Sequence, residues 1–295
     1  MTGWVPVLLV VTCALGWVGL DLTRKLLADH GRAVPITTFM VAGQIPLFVV
    51  WVAVGGSGPI GSGYWLPGLA VAALNLLANL AFMQSVKLAP LSTTLPLLSL
   101  TPVFASLLAV PILGELPTPT QWAGIVLVVV GALALAWGGR PRDGDGFDLK
   151  GLLGSGGLLM TIVALCWSVT PALDKIAMRH AGPSLHALLV VVGVTVGLLA
   201  QLGAQGRLPE LGSLARNRPA LGLLVASVVL GGLASALQLL AIQRVPVGLV
   251  ETVKRGVGAL GALALGRWLL KEDVEVGHVG AVSAMVVGVA LVILG

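Results

Sequence analysis

VPVGLVETVKRGVGALGALALGRW, residues 245–268, is an apolar run of helix length that carries Glu251, Lys254 and Arg255 in its interior. At about 1.5 Å of rise per residue, Lys254 and Arg255 stand roughly 13 to 15 Å into the run, near the middle of a hydrocarbon layer about 30 Å thick. An ionised side chain at that depth costs about 2.5 to 3.5 kcal/mol on insertion scales, so two adjacent cations persist there only by facing a partner or a hydrated cavity. The stretch predicts a polar site inside an apolar bundle, and we read that cavity as a transport site.

The rest of the chain agrees with a membrane setting. Of 295 residues, 57% are hydrophobic and 10% charged, with a mean hydropathy of +1.02; such a chain cannot cover itself with polar surface. Forty glycines suit helices whose backbones approach closely. The apolar runs lack the period-two alternation of a membrane barrel, so the class is an all-α membrane protein. The first run has no basic residue ahead of it and no small-residue cleavage site, which predicts a retained first span instead of a cleaved leader. Cys13 and Cys166 lie within apolar runs without metal-ligand company and are expected to pack, with neither disulfide nor zinc chemistry. The formal charge of +5 comes from basic residues set singly between runs, with no aromatic-interleaved basic stripe, which argues against nucleic acid as a partner.

Runs long enough to span fall at about 4–28, 35–54, 64–87, 90–113, 120–137, 152–178, 184–204, 219–243, 246–267 and 276–294. They predict ten transmembrane helices. A repeat relates them. At a separation of 150 residues, Ala14-Leu15-Gly16-Trp17 meets Ala164-Leu165-Cys166-Trp167, and Lys25 meets Lys175. At 157, Glu115 meets Glu272 and Gly131 meets Gly288. The expected organisation is two five-helix repeats, 1–145 and 146–295, and an odd number of spans in each makes the halves inverted. A duplication kept only for packing would give the same pattern; the interior charges favour the architecture of a secondary transporter.

Trp17 with Trp167, and the repeat ends SLTPVFASLLAVPILGELPTPTQWAGIVLVVVGALALA and RGVGALGALALGRWLLKEDVEVGHVGAVSAMVVGVALVILG, each with a glutamate beyond a small-residue-rich helix, carry a resemblance. The chain resembles the drug/metabolite transporter superfamily in its EamA-type, two-repeat form. The resemblance implies a membrane transporter and is weak for substrate. Lys254-Arg255 is also similar to the Lys-Arg pair in the ninth span of plastid sugar-phosphate/phosphate translocators, which implies substrate phosphate there; Glu251, one turn earlier, departs from that pattern. Basic residues concentrate in the odd-numbered connections, which by the positive-inside rule puts both termini outside, whereas the resemblance implies termini inside.

Glu251, Lys254 and Arg255 share a helix face at i, i+3 and i+4. In the plainer reading Glu251 and Arg255 form a buried bridge and Lys254 stays unmatched; in the sharper one the surplus positive charge receives an anionic or carboxylate-bearing substrate, Arg255 as a planar fork and Lys254 as a mobile point charge. Asp21 with Arg24 and Lys25, and Asp174 with Lys175, form a second cluster near matching ends of the first and sixth runs. Arg24 and Lys175 suit interfacial snorkelling; Asp21, Asp174 or Glu251 are candidates for a coupling proton, since burial raises a carboxyl pKa. Asn75 and Asn79 stand one turn apart and are candidate substrate contacts, as are the hydroxyls of Thr93, Thr94, Ser99 and Thr101, although polar side chains of this kind often bond back to their own helix. Trp17 and Trp167 shape the site or pack. The first-half positions that match Lys254 and Arg255 are Leu97 and Leu98. The four histidines show no metal spacing and receive no role.

The expected function is a secondary transporter of a small polar metabolite in the cytoplasmic (inner) membrane, working by alternating access around a midplane cavity, with a proton or counter-substrate, no cofactor and no metal, as a monomer or homodimer. The alternative is a broad exporter of amino acids, amphipathic or cationic compounds bound through Glu251, Asp21 and Asp174. No HExxH, GxSxG or GxxxxGK[ST] occurs, which argues against an enzyme and against direct ATP coupling.

Overall fold

The computed structural model describes residues 4–56, 58–88, 95–138, 154–269 and 277–295. The expected repeat boundary at 145/146, the hydroxyls of Thr93 and Thr94, and Glu272 lie outside them. The helices are α1 (Trp4–Leu27), α2 (Ala33–Ala42), α3 (Ile45–Gly55), α4 (Trp65–Leu88), α5 (Thr101–Leu113), α6 (Pro119–Gly138), α7 (Ser155–Ala181), α8 (Pro183–Ala204), α9 (Pro209–Arg216), α10 (Arg218–Ile242), α11 (Val247–Leu269) and α12 (Gly277–Leu294). Among the described residues six segments are long and apolar enough to cross a membrane, 4–30, 33–55, 62–85, 155–181, 183–204 and 218–242, and three apolar helices are shorter, 97–113, 119–135 and 280–294.

Two runs differ from the continuous helices that their hydropathy predicts. The second breaks into α2 and α3 at Gly43-Gln44, because Pro46 stands in the first turn of α3 and supplies no N–H to continue the ladder. The fourth begins as a 3-10 turn, Leu95–Leu100, and becomes α-helical at Thr101, where Pro102 again occupies the first turn. The short α9, Pro209–Arg216, lies between the α8 and α10 spans and buries only Leu214.

Packing follows the repeat. α1 packs along α10, and α4 along α7; these are the same pair of elements exchanged between halves. α6 packs along α12, the last long helices of the two halves. Their contact is close because it is made of glycine: a Cβ on Gly124 would lie 2.6 Å from the Gly288 carbonyl oxygen, and one on Gly288 would lie 2.7 Å from that of Gly124. Helices that approach this tightly gain dispersion contacts that lipid cannot supply.

Three turns place the candidate side chains. Gly114, at φ 72°, ends α5 in the left-handed region, with its N–H on Val110 and the Glu115 N–H on Ala109. That turn throws Glu115 back over the bundle. Gly182, at φ 71°, ends α7 and hands directly to Pro183 at the start of α8, folding Asp174 toward His186. Pro246 precedes α11 and leaves the Val247 N–H at an open helix terminus.

Candidate functional site

α11 brings Glu251, Lys254 and Arg255 into the interior, between α1, α5, α6 and α12. The Glu251 side chain is 3% exposed and that of Lys254 16%. Lys254 donates to Glu251 Oε1 at 2.7 Å and to Gln238 Oε1, from α10, at 2.8 Å. Its ammonium also lies 5.3 Å from the centre of the Trp17 ring on α1, inside the range of a cation–π contact. The plainer alternative, a Glu251–Arg255 bridge with Lys254 unmatched, does not form: the carboxylate takes Lys254. Both cations share its face, and the choice is made by Gln238 and Trp17, which give the ammonium two further partners.

Arg255 is the cation left over. Its Nη2 donates to Thr101 Oγ1 at 3.4 Å, while that hydroxyl donates to the Leu98 carbonyl at 2.6 Å. The carboxylates whose fields reach Arg255 are Glu251 and Asp21, the first already committed to Lys254. Beside this cluster the Trp17 indole N–H is buried with no oxygen or nitrogen acceptor among the described residues; the Cys13 thiol, a weak acceptor, lies close by. A guanidinium and a hydroxyl thus meet between α5 and α11, with Lys254 and Trp17 on the α1 side of the same helix.

The two halves are chemically unequal at matching positions. Leu97 and Leu98 are buried at 7% exposure each and pack in one apolar cluster with Trp167. The Trp167 ring lies tilted against Phe82, with centroids 6.2 Å apart. Where Trp17 carries an ammonium, its repeat partner carries hydrocarbon.

The remaining sequence candidates separate. Asp21 has a 69% exposed side chain and pairs with Arg24 at 3.2 Å, so it is not a buried acid. The amide nitrogens of Asn75 and Asn79 donate to the Val71 and Asn75 carbonyls of their own helix, at 3.0 and 2.8 Å. Lys175, expected to snorkel, is only 18% exposed and pairs with Glu115. Glu115 Oε2 in turn accepts the Val247 N–H at 2.7 Å. A cleft of about 250 Å³ lined by Lys175, Met178, Arg179 and Gln243 opens beside this junction.

Asp174 is 7% exposed, and its partner is a residue to which the sequence assigned nothing. His186 is fully buried; its Nε2 lies 2.8 Å from Asp174 Oδ1 and its Nδ1 3.2 Å from the Tyr64 hydroxyl. Among the described residues no group of three His, Cys, Asp or Glu side chains could hold a metal.

Comparison with known proteins bears on this arrangement twice. The model of the EamA-like transporter family matches residues 4–137 and again 154–294, one match per half. No curated protein matches. Among solved structures 29 chains match; one, a crystal structure of a protein, superposes with a TM-score of 0.79 over 98% of this chain and 96% of that one, at 18% identity. At that identity the likeness is one of fold.

Proposed function

We propose, from the premise that this chain belongs to the EamA-like transporter family, that it is a secondary transporter of a small polar metabolite bearing a carboxylate or phosphate. The protein is an integral, multi-pass membrane protein of a transporter family. The finer reading is ten spans in two inverted halves, 1–145 and 146–295, alternating access to a midplane site, with the inner membrane as its place. The single observation that carries the substrate class is the division of labour on α11: Lys254 is held by Glu251, Gln238 and Trp17, and Arg255 by one hydroxyl at 3.4 Å. A planar guanidinium with donors to spare in a water-poor site suits a two-oxygen anion.

The exporter of cationic compounds is the weaker reading, because each acid it needs already holds a basic partner: Glu251 holds Lys254, Asp21 holds Arg24 and Asp174 holds His186. The test is uptake into proteoliposomes from a defined mixture of labelled amino acids, dicarboxylates, sugar phosphates and polyamines, read by mass spectrometry. Entry restricted to carboxylated or phosphorylated compounds, lost in Arg255→Ala protein that inserts normally, supports the reading. Uptake confined to polyamines, or a wild-type rate in Arg255→Ala, refutes it.

A further inference from the structure

We propose that Asp174, His186 and Tyr64 form the proton-binding site through which this protein couples substrate movement to a proton gradient. The proposal rests on the transporter reading above and supplies its energy source. The three side chains come from both halves: Tyr64 ends the 3-10 turn Ser62–Tyr64 that leads into α4, Asp174 lies in the last turns of α7 and His186 in the first turns of α8. An ionised carboxylate only accepts, so the Asp174 contact fixes the proton of a neutral His186 on Nε2, and Nδ1 then accepts from the Tyr64 hydroxyl. In that state every hydrogen bond is satisfied and the cluster carries one buried negative charge, which is costly in a low-dielectric interior.

One added proton removes that charge. It is taken up by the Asp174–His186 pair, entering and leaving through Asp174; the imidazole then bears a proton on both nitrogens, and the Tyr64 oxygen, its own O–H turned away, accepts from Nδ1. Asp174 has 11% side-chain exposure and His186 none, so the acid is the side of the cluster that water reaches. Among the described residues, the other ionisable groups on the packed elements are few. The helices against α8 are α2, α3, α4, α7 and α10: α2 and α3 contain no ionisable residue, α4 contributes only Lys87 near its far end, and α10 only Arg218 at its first residue. On α7, Lys175 is engaged by Glu115, Arg179 lines the neighbouring cleft, and His180 lies against Gly61 and Gly63, in and beside the turn that ends in Tyr64.

The output is one residue away. Asp174 is followed by Lys175, Lys175 holds Glu115, and Glu115 holds the first N–H of α11, the helix that carries Lys254 and Arg255. From Lys175 onward, direct contacts join the last turns of α7 to the substrate helix.

The experiment compares proteoliposomes given an imposed pH gradient with proteoliposomes allowed only one-for-one exchange, using the labelled mixture of amino acids, dicarboxylates and sugar phosphates. In Asp174→Asn and His186→Gln protein the ratio of gradient-driven accumulation to exchange falls at least tenfold; Tyr64→Phe, which keeps the ring and removes the hydroxyl, lowers it less. A ratio equal to the wild type in Asp174→Asn or His186→Gln overturns the proposal. If the wild type moves none of the mixture, the transporter reading fails separately, and the proton site is decided by histidine ring NMR on substrate-free protein. His186 signals, identified by their loss in His186→Gln, that convert to the imidazolium form on acidification support the site; signals that never change overturn it.

Discussion

Glu115 reaches across 132 residues of sequence to accept the backbone N–H of Val247 at 2.7 Å. Its other carboxylate oxygen holds the Lys175 ammonium. A negative charge at a helix N-terminus satisfies an orphan donor and opposes the positive end of the helix dipole, so Glu115 fixes where α11 begins. With both partners no more than 18% exposed, the pair is screened little by water. Glu115→Ala strands Lys175 and the Val247 N–H together and is expected to destabilise the protein by about 2 to 4 kcal/mol. Glu115→Gln keeps an acceptor for Val247 and recovers part of that loss. Unfolding in detergent checks both; equal losses in the two variants would remove the capping role.

Lys254 and Glu251 form a buried pair whose halves cannot be removed singly. Lys254→Met leaves the Glu251 carboxylate, 3% exposed, without a cation, and the expected cost is about 3 to 5 kcal/mol. Glu251→Gln with Lys254→Met restores most of it, since a neutral pair of similar volume escapes the desolvation of two ions. A double-mutant cycle by thermal unfolding reads the coupling. Additive losses would show that Gln238 and Trp17, not Glu251, hold the ammonium.

Arg255 separates from its neighbour by its response to conservative change. Arg255→Lys preserves charge and loses the planar fork, so the apparent affinity for a carboxylated or phosphorylated substrate is expected to weaken about tenfold or more, with thermal stability within about 1 kcal/mol of wild type. Uptake kinetics on whichever labelled compound enters proteoliposomes checks it. A wild-type KM in Arg255→Lys would mean that point charge alone suffices.

How far these features were legible depends on how local their causes are. Hydropathy and the cost of interior charge act within one segment, so the apolar runs and the interior placement of Lys254-Arg255 could be read directly. The partner of Glu251 could not: i+3 and i+4 share a face, and the choice lies with Gln238 and Trp17 on other helices. Glu115 was visible only as a repeated glutamate beyond a helix, because its function is a contact with a segment 132 residues away. His186, three residues after Pro183, reads as an ordinary helix-start histidine; the acid and imidazole flanking the Gly182-Pro183 corner were the sole local sign of their pairing. Asn75 and Asn79 share a face as expected, yet their amides bond to their own backbone, the cheapest acceptor in an apolar segment.

The α9 connection predicts an acid-sensitive contact. Glu210 accepts from Arg207 at 2.8 and 3.0 Å and from Arg32 at 3.2 Å, and the Arg207 hydrogen bond, ahead of the Arg32 charge, holds its carboxyl below the usual range. A carboxyl depressed in the folded state contributes above its unfolded pKa, and that contribution is lost as pH falls through the lower, folded value. Mobility of a nitroxide placed at Ser213 is expected to rise in acid in the wild type, and to be raised and flat with pH in Glu210→Gln. A pH-independent signal in the wild type would remove Glu210 as the anchor.

The glycine contact between α6 and α12 tests the relation of the two halves. Gly131 and Gly288 are 157 residues apart, as are Gly124 and Ala281. A Cβ on Gly288 would lie 2.7 Å from the carbonyl oxygen of Gly124, and one on Gly131 would lie 2.8 Å from that of Ala281. The same repeat position meets the same backbone atom in each direction, as a pseudo-two-fold contact requires. Carbonyls of packed helices cannot step aside, so Gly131→Ala and Gly288→Ala are each expected to destabilise by about 1 to 3 kcal/mol, and by similar amounts. Gly222→Ala on α10, with no described atom within 4 Å of the added carbon, is expected to be neutral or to stabilise by up to about 1 kcal/mol, as alanine does in a helix. Thermal unfolding of the three variants reads this directly. A large loss in one of the repeat partners and none in the other would break the symmetry of the contact and leave only a local packing site.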